Sequence, residues 1–264
     1  MSFLECHFHS DVLGCARTMN VIVPQVARTQ IGMAGATATR KDYPVLFLLH
    51  GLSDDETIWM RRTSIERYAS EYQVVVVMPN GGRSFYTDME KGYRYWTHIS
   101  EELPAIVASL LPVSTRREDT FAAGLSMGGY GALKLALRCP ERFAGAVALS
   151  PVADIREWMT RFGDPKECQN IFGTLDDLAP RGNDLMALAE KACKASEPPR
   201  IMQVCGTEDA LYPGNGRFRQ CMEGLKFPGY RYLEGPGTHS WEFWDHWIQE
   251  GLRFLLKPET AGRK

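Results

Sequence analysis

Ser126 stands in Gly124-Leu125-Ser126-Met127-Gly128, a G-x-S-x-G pattern, and the acids Glu208 and Asp209 and then His239 follow it along the chain. A serine hydroxyl is a weak nucleophile until a base takes its proton and an acid orients that base, so these residue types point to acyl transfer through a covalent serine intermediate. The spacing suits a sharp strand-to-helix turn whose strained backbone lifts the hydroxyl clear of a sheet, with glycines on both sides removing side chains that would collide across it. The bare pattern turns up by chance in roughly one chain of this length in ten. The flanking elements must support it.

They do so in the required order. Thr120 to Ala123 reads as a short buried strand, and Tyr130 to Arg138 reads as a helix with small residues where it passes the sheet. Pro44 opens V-L-F-L-L-H-G, a run apolar on both faces, as expected of a central parallel strand covered by helices on each side. The loop after that strand, together with the residue after the nucleophile, supplies the backbone N–H groups of an oxyanion hole in this architecture, which nominates Leu52 and Met127. His50 is expected to pin that loop by hydrogen bonds and to take no part in the chemistry. Gln73 to Met78, closed by Pro79-Asn80-Gly81-Gly82, and Phe143 to Leu149 read as two further central strands. Arg200 to Cys205 is another, and places Glu208 and Asp209 at a carboxyl edge, where sites of α/β sheets are built. One of these acids should orient His239, which lies after the last strand and before a terminal helix, Trp241 to Leu256. Serine, acid and histidine then occur in the chain order of the α/β-hydrolase arrangement.

Other segments are framework or candidate walls. Residues 3 to 24 alternate loosely, with Asn20 to Val23 as one arm of an antiparallel pair, and Gln30 to Asp42 reads as a hairpin or loop. His7, His9 and Asp11 have the look of metal ligands, but no distant set completes a site, and no metal is expected. Ser64 to Tyr72 is a short helix. His98 to Leu111 is an amphipathic helix that Pro104 can kink. Between Ser84 and Trp96 the aromatics Phe85, Tyr86, Tyr93, Tyr95 and Trp96 serve either packing or a substrate wall. Residues 152 to 199 are too long for a plain connection and form a cap insertion with a helix near Asp184 to Lys194. Phe162 there reads more readily as an anchor than as a substrate contact. Candidate substrate contacts are Trp59, Phe85, Tyr86, Trp96, Trp158 and Trp241.

At 264 residues a single catalytic domain, 1 to 264, can bury an adequate core. A formal charge of −2 excludes a polyanion-binding surface built on net charge, so neither nucleic acid nor a membrane surface is an expected partner. Seven scattered cysteines without a C-x-x-C pair suit a reducing compartment. The N-terminal stretch lacks the basic start and apolar run of a signal peptide, and the expected location is the cytoplasm. Oligomeric state is left open.

The segments H-G-L-S, V-V-V-M-P-N, F-Y-T-D, A-G-L-S-M-G-G-Y-G-A, G-T-E-D and G-T-H-S-W-E-F-W together resemble the tributyrin-esterase branch of the esterase D family, from about residue 3 to the last helix. The resemblance implies an α/β-hydrolase fold, with a mostly parallel sheet flanked by helices, and a cofactor-free carboxylesterase of short acyl esters. Some relatives deacetylate or deferuloylate plant polysaccharide. It also implies Ser126 as nucleophile, Asp209 as acid, His239 as base, and Leu52 and Met127 as oxyanion donors. Phe85 departs from the tryptophan that relatives tend to carry before Tyr86-Thr87-Asp88. Ser53-Asp54-Asp55 stands where related S-formylglutathione hydrolases show a cysteine, which points away from that substrate.

Overall fold

Successive residues of the strand Val45–Leu49 enter two different cores, Val45, Phe47 and Leu49 on one face and Leu46 and Leu48 on the other. That is the period-two consequence of a strand with both faces covered, and it explains why the run is apolar throughout. In the computed structural model, which describes residues 1–26, 31 and 42–257, the strands are β1 (Ser2–Ser10), β2 (Cys15–Val23), β3 (Val45–Leu49), β4 (Val75–Pro79), β5 (Thr120–Leu125), β6 (Gly145–Leu149), β7 (Arg200–Gly206) and β8 (Tyr230–Gly235). They form one sheet in the order β1-β2-β4-β3-β5-β6-β7-β8. The pairs β1/β2 and β2/β4 are antiparallel and the rest are parallel. The N-terminal antiparallel pair and the parallel centre are both as expected. The expected hairpin or loop from Gln30 to Asp42 lies, but for Ile31 and Asp42, outside the described residues.

Helices cover both faces. The terminal helix Trp241–Leu256 turns Trp244, Ile248, Leu252 and Leu255 onto the face carrying Val147 and Val204, a three- and four-residue spacing that makes one apolar stripe. On the opposite face Met127–Arg138 packs beside Leu185–Ala192, whose Leu185, Leu188, Ala189 and Ala192 share its core. Part of the 152–199 segment is thus built into the flanking layer. Its other helices include Ile155–Glu157, continued by a π-type turn through Phe162, and Pro165–Phe172.

Two helical segments differ from expectation. The stretch from His98 is split, a π-type turn at His98–Glu102 preceding the helix Leu103–Leu110 with Pro104 in its first turn. Proline cannot donate to the carbonyl four residues back, and the Ser100 carbonyl instead accepts a hydrogen bond from Arg142 Nη1. The helix Tyr212–Gly224 between β7 and β8 was not legible, because it contains Pro213, Gly214 and Gly216. Each interior glycine costs up to ~1 kcal/mol, but burying Phe218 and Met222 contributes roughly 1.5 to 3 kcal/mol apiece and decides the outcome.

Candidate active site

Ser126 joins β5 to the helix Met127–Arg138 with φ 54° and ψ −117°, a left-handed conformation that a residue with a side chain adopts only under constraint. The constraint is visible on both sides. Ser126 N–H donates to the Leu149 carbonyl of β6 at 2.9 Å, and the Ser126 carbonyl accepts from Tyr130 N–H at 3.0 Å and Val152 N–H at 3.2 Å. The flanking glycines are required by close approach: a Cβ on Gly124 would lie 2.4 Å from the Gly128 oxygen, and one on Gly128 would lie 2.3 Å from the Leu49 oxygen. The turn leaves Ser126 9% exposed, at the floor of a cleft.

Asp209 follows β7 and His239 follows β8. The two loops are laced by backbone hydrogen bonds, Thr207 N–H to the Gly235 carbonyl at 2.9 Å and Glu208 N–H to the Gly237 carbonyl at 3.0 Å. This lacing turns Asp209, the acid that the resemblance implies, inward and leaves Glu208 exposed. Asp209 Oδ2 lies 2.8 Å from His239 Nδ1, and Asp209 Oδ1 accepts from Leu211 N–H at 2.8 Å. Burial by itself would raise the Asp209 pKa, but the hydrogen bond and charge of His239 and the Leu211 N–H outweigh it and hold the carboxyl below its ordinary value. An ionised carboxylate only accepts, so His239 carries its proton on Nδ1 and presents the Nε2 lone pair. Trp244 stands edge-on to the imidazole, centroids 4.8 Å apart at 88°, and Trp241 stands edge-on to Trp244 at 5.2 Å.

Across the cleft, the loop after β3 is held by His50 as expected. His50 Nδ1–H donates to the Gly51 carbonyl at 2.7 Å while Nε2 accepts from Gly81 N–H at 2.9 Å. Burial depresses the His50 pKa and keeps the ring neutral, the form this bonding needs. Leu52 N–H makes no hydrogen bond among the described residues, and Met127 N–H is the first donor of its helix, where N–H groups lack intrahelical acceptors. Two free donors and a helix N-terminus suit a developing oxyanion.

Ser126, Asp209, His239 and Leu52 line one cleft of about 510 Å³, together with Trp158 and Trp241. Four other expected contacts do not line it. Trp59 is 1% exposed, with its Nε1–H given to the Leu49 carbonyl at 3.1 Å and its ring edge-on to Trp241. Tyr86 is fully buried and donates its hydroxyl to the His50 carbonyl at 3.0 Å, bracing the loop from behind. Phe85 packs under Trp158, against Tyr130 and Phe172. Trp96 covers the buried ammonium of Lys134 at 4.9 Å. Large aromatics in an aperiodic segment carry no sign of facing in or out, and here Phe85, Tyr86 and Trp96 are buried against other elements, through Tyr130 and Phe172, His50 and Lys134. Phe162, expected as an anchor, is 37% exposed at the rim and stacks on Trp158. Trp244 and Arg83 also reach the cleft and were not anticipated. The W-x-x-W spacing directly after His239 was the available signal for Trp244.

The sequence pattern of the family described as "Putative esterase" matches residues 10–255. The chain is 30% identical to the acetyl esterase of Caldicellulosiruptor saccharolyticus, over 97% of this chain and 99% of that one. Among solved structures it is similar to substrate-bound FphF, the fluorophosphonate-binding serine hydrolase F of Staphylococcus aureus, with 34% identity, a TM-score of 0.85 and coverage of 97% and 98% of the two chains. It is equally similar in sequence to the apoenzyme of S-formylglutathione hydrolase (FrmB) from Staphylococcus aureus, with 34% identity, a TM-score of 0.83 and the same coverage. The fold of these neighbours is the α/β-hydrolase fold expected from the chain order of serine, acid and histidine.

Proposed function

Because the chain belongs to this esterase family and is a serine hydrolase of carboxylic esters, we propose that it cleaves short-chain acyl esters with Ser126 as nucleophile, His239 as base and Asp209 as orienting acid. The observation that carries the assignment is the Asp209 to His239 contact of 2.8 Å in the same cleft as the strained Ser126 turn. His239 Nε2 takes the hydroxyl proton as Ser126 Oγ attacks the ester carbonyl, and Asp209 stabilises the imidazolium. The tetrahedral oxyanion is received by the N–H groups of Leu52 and Met127. Imidazolium then protonates the departing alcohol, and a water activated by the same imidazole releases the acid and restores Ser126.

Within the family the tributyrin-esterase branch is our reading, on the H-G-L-S and G-T-H-S-W-E-F-W segments. We assign the 152–199 insertion as a cap, whose rim contribution is Trp158 and Phe162. The aromatic lining by Trp158, Phe162, Trp241 and Trp244 supports a second reading, an acetyl or feruloyl esterase acting on plant-polysaccharide esters. The relative named as an acetyl esterase supports its acetyl form. The cytoplasm remains our proposed location, supported by the seven free cysteines; no helix among the described residues is long and apolar enough to cross a membrane.

The test is hydrolysis of p-nitrophenyl butyrate by the wild type and by Ser126→Ala, purified side by side. Turnover that disappears in the variant is the expected result. Equal rates in the two proteins would remove Ser126 from the mechanism. Methyl ferulate and acetylated xylan oligomers, compared with the aryl ester, then separate the two readings.

A further inference from the structure

A second cavity, of about 470 Å³, lies between the loop after β4 and the helix Pro165–Phe172. Arg83 lines both this groove and the Ser126 cleft. Its guanidinium is held by Glu167 in a two-pronged pair, Nε to Oε1 at 2.6 Å and Nη2 to Oε2 at 2.8 Å, so the rim between the two cavities is a fixed contact. The groove walls are also joined by backbone, Glu90 N–H to the Ile171 carbonyl at 3.1 Å and Lys91 N–H to the Asn170 carbonyl at 2.8 Å. It is therefore formed before any ligand arrives.

The groove is lined by three cations, Arg83, Lys91 and Lys166, and two carboxylates, Asp164 and Glu167. Its carboxylates are both engaged, Glu167 by Arg83 and Asp164 by Glu167 N–H at 2.8 Å. Lys91 and Lys166 line the same groove and form no ion pair among the described residues. Tyr93, 60% exposed, lines the groove and stands edge-on to Tyr95 at 6.5 Å, an aromatic surface against which a flat or sugar-like body can pack.

We propose that this groove is the leaving-group subsite, and that it accepts an alcohol carrying a carboxylate, with Lys91 and Lys166 as the recognising cations and Tyr93 as the platform. The inference rests on the short-acyl reading of the Ser126 cleft: a short acyl chain ends near the serine, so only the alcohol side of the ester is long enough to pass Arg83.

The experiment compares two acetate esters that differ only in charge, those of 4-hydroxyphenylpropionate and of its neutral amide. The wild type should prefer the anionic ester in kcat/KM by about five- to tenfold at low salt. That ratio should shrink in 0.5 M NaCl, where surface charges are screened within a few ångströms. Lys91→Ala/Lys166→Ala should bring the ratio close to one, with thermal melting showing that the variant is folded. The salt dependence of the wild type tests the same point without a variant. A wild-type ratio of one with both esters cleaved overturns the subsite and leaves the esterase reading standing. Cleavage of neither ester overturns both. A preference for anionic acyl groups instead, read from p-nitrophenyl hemisuccinate against p-nitrophenyl butyrate, overturns the leaving-group assignment.

Discussion

His239 Nδ1 lies 2.8 Å from Oδ2 of Asp209, and the Asp209 side chain is 0% exposed while the imidazole is 34% exposed. Both residues line the cleft, and the imidazole is the more exposed of the two while the acid is buried beside it. An amide at position 209 can donate to Nδ1 and so favours the tautomer with its proton on Nε2, where it cannot accept from Ser126. Asp209→Asn should keep the fold and lower kcat by about 10³ to 10⁴, the scale of this tautomer error in worked serine hydrolases. A kcat within tenfold of wild type on p-nitrophenyl butyrate would show that Asp209 does not set the tautomer.

Acid should act on stability through the same residue. The folded Asp209 pKa is below the unfolded value of about 3.9. Its contribution is therefore present above that value and is lost as pH falls through the lower folded pKa. Buried His50 and His98 act in a different window, because burial lowers their folded pKa values below the unfolded value near 6.5. Below that pH the unfolded chain takes up protons that the native rings refuse, and stability falls. Urea unfolding between pH 8 and pH 4 should show stability declining from about pH 6.5, with a shallower decline in His50→Gln.

Gly128 is the tightest point of the serine turn. A methyl there would meet the Leu49 oxygen at 2.3 Å, and that oxygen is backbone and cannot swing away. Gly128→Ala should lose at least ~2 kcal/mol and most of its activity, because relief of the clash must move Ser126 or β3. A melting temperature and kcat equal to wild type would contradict the close approach.

Lys134 is fully buried, with its Nζ donating to the Tyr86 carbonyl at 3.2 Å, Thr87 Oγ1 at 2.8 Å and Asn183 Oδ1 at 2.7 Å. It ties the aromatic loop and residue 183 of the insertion to the helix behind Ser126. Burial pushes its pKa well down, so its own desolvation opposes the gain from these bonds. Lys134→Met removes the buried amine but leaves three acceptors without a donor, and each unsatisfied group costs about 1 to 3 kcal/mol. The balance should be a net loss of about 2 to 4 kcal/mol, measured by urea or thermal unfolding. An equal or more stable variant would show that desolvation of the amine dominates.

Much of the sheet and the candidate triad was open to reading because local pattern and chain order encode them. The short all-apolar runs at Val45–Leu49 and Val75–Pro79 read as strands covered on both faces. The glycines at 124 and 128 declare a crowded turn, and the terminal helix emerged with its bounds at Trp241–Leu256. Helix Tyr212–Gly224 escaped because its stability comes from the core it meets, against its own glycines and proline.

The sequence by itself determined that a serine turn, an acid and a histidine follow one another at the carboxyl edges of a parallel sheet. The tertiary structure sets Asp209, the acid that the family resemblance implies, rather than Glu208 beside His239, through backbone bonds across to the loop of His239. It also decided which aromatics line the cleft, sending Trp59, Phe85, Tyr86 and Trp96 into the interior and leaving Trp158, Phe162, Trp241 and Trp244 at the cleft. The physical reason is the same in both cases. Residue type and spacing specify what a side chain can do and which local element carries it, whereas what that side chain meets is set by neighbours distant in the chain.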